Sequence, residues 1–328
     1  MAADAILLPA HGRSYAPLQP ADALAKWTPT RQLAPLQGQT MGAPGNLYSG
    51  SVPVLYDRYR GPIFFQPYAN DLARRVACLT AGRLLETAAG TGILTRVLAR
   101  LLPQRVTLVA TDVSRDMIEF AAAQGKVERV VWGEVDAIAL PFPAMTFDTV
   151  VCQFGVMFFP DKIAAYREAY RVLKLGGSFI FNVWDRIERN EFCCVVNEVA
   201  ARFFPDDPPG LMVRTPYGYY DTTLIAQQLR SVGFDVTAVD AVELPSHAPS
   251  AQELAIGFCQ GSPLRREIEE RDAARLGEVT DTAAKALLTR FGPGPISGAM
   301  RAYVISARKT ALTDSDVCQR IHPDGQRP

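Results

Sequence analysis

Residues Arg83 to Leu94, RLLETAAGTGIL, leave this chain few folds to choose from. Leu84 and Leu85 form the apolar end of a short buried strand, and Ala88 to Gly92 carry almost no side chain. Ile93, Leu94, Val97, Leu98 and Leu101 then recur at the spacing of one helix face. Strand, tight turn and helix in that order belong to an α/β protein. A loop this bare lets a ligand approach the backbone closely. The helix N-terminus behind it offers free N–H groups and a partial positive charge, which favour an anionic ligand group.

The identity of that anion is narrowed by two side chains. A nicotinamide dinucleotide site needs a third small residue after the paired glycines, and here Gly90-Thr91-Gly92-Ile93-Leu94 runs into Thr95. Glu86, just before the loop, would oppose a pyrophosphate. Its carboxylate suits a ligand that carries an ammonium beside a carboxylate, the amino-acid end of S-adenosylmethionine for instance. The pattern Glu86-x-Ala88-x-Gly90-x-Gly92 resembles the first motif of class I S-adenosylmethionine-dependent methyltransferases, with Ala88 in place of the family's first glycine. A strand–turn–helix junction of some other α/β protein stays open on this loop alone.

Further along, Arg105 to Ala110 reads as a second buried strand ending at Thr111-Asp112. An acid at that strand end is placed to accept both ribose hydroxyls, a geometry common to nicotinamide and adenosylmethionine sites. Ser114 is a helix N-cap, and Val113 and Met117 pack either an adenine face or the core. Val127 to Val135 gives a third strand, followed by Asp136-Ala137. In the methyltransferase family an Asp and a small residue at this point cap the adenine, and Asp136 and Ala137 match. Next come Leu140-Pro141-Phe142-Pro143, then Phe147-Asp148, and a buried strand over Thr149 to Cys152 that ends in Gln153 and Phe154. A helix capped by Asp161 follows, then Lys174-Leu175-Gly176-Gly177 as its basic, glycine-terminated end, then a fifth strand over Ser178 to Trp184. This succession closely resembles the quinone-biosynthesis-like (type 11/25) group of class I methyltransferases, over about Tyr56 to Trp184. The resemblance implies a doubly wound, mostly parallel seven-stranded sheet of Rossmann-like kind with a helical lid. It implies S-adenosylmethionine as cofactor, with Gln153 and Phe154 beside the reacting centre.

Around this core the expectations are coarser. Residues 1–46 read as a flexible extension, 47–312 as the methyltransferase domain, and 313–328 as a disordered tail. An insertion at about 185–221 is expected to form the lid over the acceptor. Tyr56 and Tyr59, Phe158, Arg214 and Tyr217 are candidates to touch the acceptor, and each serves equally well as packing. Asp185, Tyr217 and His247 are the candidate proton acceptors, His247 lying in what reads as a loop, Pro245 to Pro249. Late strands are expected over Phe234–Leu244 and Ala299–Ala307, with helices over Thr222–Val232, Ser250–Phe258 and Leu264–Arg290.

Lys plus Arg and Asp plus Glu both number 34, so nothing points to a nucleic-acid-binding surface. Six cysteines without a C-x-x-C pair and three histidines argue against a zinc site and for reduced thiols in the cytoplasm. No apolar run reaches the length of a membrane span. The expected activity is methyl transfer to a small, lipophilic or aromatic acceptor, on O, N or C. A non-catalytic S-adenosylmethionine-binding partner protein and an NAD-dependent oxidoreductase are the alternatives. Oligomeric state is not readable from the sequence.

Overall fold

Strand β1 (Gly82–Thr87) is third in a seven-stranded sheet whose other members are β2 (Val106–Asp112), β3 (Val130–Glu134), β4 (Phe147–Gln153), β5 (Leu173–Trp184), β6 (Phe234–Ala248) and β7 (Ile296–Lys309). Their order is β3-β2-β1-β4-β5-β7-β6, and β7 alone runs antiparallel to its neighbours. These are the contents of a computed structural model that describes residues 52–124 and 129–310. The extension expected over 1–46 and the tail expected over 313–328 lie outside the described residues.

The inner strands are apolar at their centres because helices cover both faces of the sheet. Leu84, Leu85, Val109, Val150, Val151 and Phe181 are all buried. Helices α3 (Ile93–Leu101), α4 (Arg115–Ala123) and α5 (Lys162–Val172) make the crossovers of the parallel half. Ser114 and Asp161 cap α4 and α5 as expected, accepting from the backbone N–H of Met117 and Ala164. Leu101, counted on the apolar face of α3, is instead exposed at the last turn. Chain order runs outward from β1 to β3 on one side and from β4 to β5 on the other. A crevice therefore opens at the carboxyl ends of β1 and β4.

Several expected boundaries shift. The segment Lys174–Gly177 is not a helix end, since α5 stops at Val172 and Leu173 already pairs with Phe147. The last two strands are longer than expected because they pair with each other from Phe234↔Lys309 to Ala248↔Ile296. His247 is thereby a strand residue opposite Ser297, not a loop residue. The stretch Leu264–Arg290 divides into α10 (Leu264–Asp272) and α11 (Leu276–Phe291), with a 3₁₀ turn at Ala273–Arg275 where Asp272 caps the Ala274 N–H.

Before β1 stand a short helix α1 (Val52–Leu55), a ten-residue π-helix (Tyr56–Phe65) and α2 (Gln66–Arg75). Tyr68 anchors α2 by donating toward the carbonyls of Val242 and Met300, at 2.9 and 3.2 Å. Two insertions roof the crevice. One carries α6 (Glu191–Phe203) and α7 (Leu211–Arg214) between β5 and β6's leading helix α8 (Thr222–Ser231). The other, between β6 and β7, carries α9 (Ala251–Cys259), α10 and α11. Glu267 of α10 ties them together by accepting from the backbone N–H of Gly210 and Leu211, and Arg271 pairs with Asp207 at 3.1 Å.

Candidate active site

At the carboxyl end of β1, Ala88 and Gly90 both take left-handed backbone angles, φ +52° and +55°, and turn the chain into α3. An added Cβ at Gly90 would meet nothing within 4 Å, so this face of the loop is open. Gly92, also at positive φ, closes the back: a Cβ there would stand 2.8 Å from Trp132 and 3.1 Å from Ala121. The two glycines thus serve different needs, ligand approach and packing.

Asp112 binds the loop to the next unit. Its carboxylate accepts the Gly90 N–H and the Ser114 N–H, each at 2.8 Å. Burial pushes its carboxyl above the ordinary value, and these backbone donors pull it back down. Glu86 lies behind the loop, fully buried, and does not line the cavity. Its Oε2 accepts from the Thr95 hydroxyl at 2.6 Å while its Oε1 has no partner. Burial pushes the Glu86 carboxyl up to about 8, with the nearby Asp112 adding to the rise. Thr95, noted in the sequence only as a missing small residue, is the donor that holds this acid.

The cavity in front of the loop encloses about 1330 Å³ counted to its open mouth. Asp112, Val113, Met117, Asp136 and Ala137 line its β2–β3 side, and Ala88 and Gly90 its floor. Gln153, Phe154, Phe158 and Trp184 line the β4–β5 side. Gln153 donates to the Phe65 carbonyl at 2.8 Å and leaves a buried Oε1 without a donor. Phe154 is held at φ +52° by the Asn182 side chain, which accepts its N–H at 2.8 Å, and stacks on Trp184 at 3.8 Å. Tyr56, Tyr217, Met212 and Pro263 bring the helical roof to the same space.

Other candidates stand apart. Tyr59 and Arg214 are not in the lining, and Arg214 is a surface residue 4.0 Å from Glu267. Asp185 is buried away from the cavity, paired with Arg301 at 3.3 Å and capping the Arg186 N–H. His247 is exposed on β6. Tyr217 does line the cavity, but its hydroxyl pairs with the Cys193 thiol at 2.6 Å and burial raises its pKa well above the ordinary phenol value. Trp184, Arg60 and the residues of the second insertion were not singled out from the sequence. Trp184 ends a buried strand and Arg60 sits in a helix, and neither position carries a motif.

The groups present fit S-adenosylmethionine. An open glycine backbone, a fixed carboxylate at the end of β2 and a buried acceptor atom without a donor, on Gln153, are what a nucleoside joined to an amino acid would satisfy. Among the described residues no cluster of His, Cys, Asp and Glu has the makings of a metal site.

Comparison with known proteins agrees with this geometry. Residues 85–181 match the family model described as a methyltransferase domain. The Ubiquinone/menaquinone biosynthesis C-methyltransferase UbiE of Marinomonas sp. is 32% identical over 126 residues, 37% of this chain and 50% of that protein. Its counterpart from Escherichia coli O1:K1 is 36% identical over 101 residues, 30% of this chain and 40% of that protein. The chain thus spans about half or less of the curated relatives it matches. Among solved structures, the [4+2]-cyclase SpnF aligns with 81% of this chain and 96% of its own at 19% identity and a TM-score of 0.54. A Haemonchus contortus phosphoethanolamine N-methyltransferase 2, solved in complex with S-adenosyl-L-methionine, aligns with 80% of this chain and 58% of its own at 15% identity and a TM-score of 0.52. At those identities the two structures speak for the fold alone. The sheet order, the motif loop and the matched stretch together identify residues 85–181 as a methyltransferase domain of the type 11 group, set in a Rossmann-like sheet.

Proposed function

We propose that this protein transfers a methyl group from S-adenosylmethionine to a small acceptor of lipophilic or aromatic character. The observation that carries the reading is one cavity with two unlike sides. Asp112, Asp136 and the open Gly90 backbone line the β2–β3 side, and a wall of Phe154, Phe158, Trp184 and Tyr217 lines the β4–β5 side and the roof. The curated relatives are C-methyltransferases by name, which makes carbon the first acceptor atom to test.

In this reading Asp112 accepts the ribose hydroxyls, Asp136 and Ala137 meet the adenine edge, and Val113 and Met117 cover its face. Gln153 Oε1 takes a donor from the amino-acid end, and Glu86 steadies the loop from behind. The cofactor, when bound, supplies a methyl carbon already activated by its sulfonium. The chain's task is to orient the acceptor in line with that carbon and exclude water, which lowers the barrier through proximity and desolvation. The stacked rings of Phe154 and Trp184 favour a cation at their faces. The two insertions close over the acceptor. Among the described residues no helix is long and apolar enough to cross a membrane. Free thiols at Cys78, Cys152, Cys193, Cys194 and Cys259 accord with a reducing compartment, and we take the cytoplasm as the site of reaction.

Calorimetric titration with S-adenosylhomocysteine, beside NAD, tests the reading. Micromolar binding of the homocysteine adduct is expected, weakened by about 1–3 kcal/mol in Asp112→Ala, the worth of buried charge-assisted hydrogen bonds. Binding of NAD in its place would leave a dinucleotide oxidoreductase as the better account. Tight adduct binding with no turnover across an acceptor panel would favour a non-catalytic binding protein.

A further inference from the structure

Arg60 enters the cavity as a cation without an anion. Its guanidinium carbon lies 5.2 Å from the ring centre of Tyr56, 5.4 Å from that of Phe65 and 5.1 Å from that of Phe258. Its Nε is buried and has no hydrogen-bond partner, and no ion pair among the described residues includes it. A guanidinium stays ionised at any working pH and presents a planar fork of donors. Aromatic faces offset part of its desolvation, but they accept no N–H bond of ordinary strength. A fork left unfilled inside a ligand cavity is complementary to a carboxylate or another anionic oxygen.

The backbone is built to hold it there. Tyr56–Phe65 is a π-helix, whose turn of about 4.4 residues brings positions 56, 60 and 65 to one face. An α-helical turn would send Phe65 to the opposite side. Tyr56 and Phe65 accordingly stack at 4.8 Å, with Arg60 over both. From the roof, Gly257 of α9 comes so close that a Cβ there would sit 3.3 Å from Arg60 Cγ. Long π-helices are rare and gather at functional sites.

The chemistry missing from the cavity points the same way. Its carboxylates, Asp112 and Asp136, belong to the β2–β3 side, and no histidine is in the lining. The Tyr217–Cys193 pair near Arg60 keeps its protons, because burial raises both groups, Cys193 to about 12. An acceptor that needs a hydroxyl or carbon acid deprotonated finds no base at this end. An acceptor whose oxygen is already ionised, or becomes so beside a guanidinium, needs none.

We propose that Arg60 is the anion-binding residue of this cavity and that the methyl acceptor is an acidic aromatic molecule whose carboxylate, phenolate or enolate oxygen docks on its guanidinium within the Tyr56–Phe65–Phe258 cage. The inference rests on the methyl-transfer reading of the same cavity. The carboxylate of the donor's amino-acid end offers the same chemistry, so the experiment separates the two sources.

The test is calorimetry on the full chain, with and without saturating S-adenosylhomocysteine, using 2-naphthoate and its methyl ester as probes. The wild type is expected to prefer the acid over the ester by about tenfold or more, the scale of a charge-assisted hydrogen bond. Arg60→Met should abolish the preference and leave adduct affinity within about threefold. Arg60→Lys, which keeps the charge without the fork, should retain part of it. Wild-type protein that binds the adduct yet shows no preference for the acid overturns the anion site alone. A loss of adduct affinity in Arg60→Met with the acid preference intact assigns Arg60 to the donor's carboxylate and overturns the acceptor role. Protein that prefers the acid but never binds the adduct keeps the anion site and removes the methyl-transfer reading.

Discussion

Glu86 shows how far a single side chain can be read. Its position before the glycine loop marks it in the sequence as a candidate acid of the site, but its protonation does not follow from that position. It follows from complete burial, with Thr95 as the one donor in reach of its Oε2. The folded carboxyl titrates near 8, against an ordinary value of 4.5. Between those values the unfolded chain has released a proton that the folded chain keeps, so stability falls as pH rises from about 5 to about 8. Asp112, also raised by burial, acts with the same sign above its ordinary value. The urea midpoint of ligand-free protein is expected to drop over this range, and Glu86→Gln should flatten most of the drop. A flat wild-type profile would mean that the folded state already holds Glu86 ionised. The loop offers a second test. Ala88, where the family has glycine, keeps φ +52° against its own Cβ, and that methyl fills the space Gly155 leaves free. A Cβ at Gly155 would stand 2.4 Å from it and 2.7 Å from Cys152 Sγ. Gly155→Ala should therefore cost about 1–3 kcal/mol of stability. Adding Ala88→Gly should return part of that loss, measured as coupling in a double-mutant cycle.

At the scale of elements, the parallel half was legible because each strand there is a short apolar run ended by turn chemistry, and two of its three helices carry their own caps, Ser114 and Asp161. The roof was not. The π-helix is indistinguishable from an α-helix in composition, and its register appears only once Tyr56 and Phe65 are seen to stack. The second insertion reads as plain helices, since the contact that makes it a roof comes from Glu267 reaching residues more than fifty positions away. His247 was misplaced for a related reason: prolines at 245 and 249 suggest a loop, while pairing with β7 overrides them. Glu267→Ala should leave the Gly210 and Leu211 N–H groups without acceptors, at about 1–3 kcal/mol for the local structure. Hydrogen exchange at residues 205–215 should then accelerate, with exchange in β1 and β4 unchanged. Equal acceleration in the sheet would mean that the roof and the sheet open as one unit.

Across the whole molecule, the β2–β3 side of the cavity and its opposite wall and roof differ in how the chain reaches them. The loop after β1, Asp112 and Asp136 fall within about fifty consecutive residues, joined by parallel pairs β1–β2 and β2–β3. The opposite wall and roof draw on Tyr56, Trp184, Tyr217 and Pro263, so they exist only after strands far apart in sequence have met. Loop closure over such distances is slow relative to local pairing. Refolding should therefore protect the amides of β1 to β3 before those of α9 and β7, as read by pulsed hydrogen exchange. Simultaneous protection would indicate a single cooperative step. The sharing of one cavity between an early and a late half has a consequence for the chain during its own synthesis. On the proposed reading the side that would meet the nucleoside assembles before the side that would meet the acceptor, and Tyr68, clasping β6 and β7 from the N-terminal side, joins the two halves.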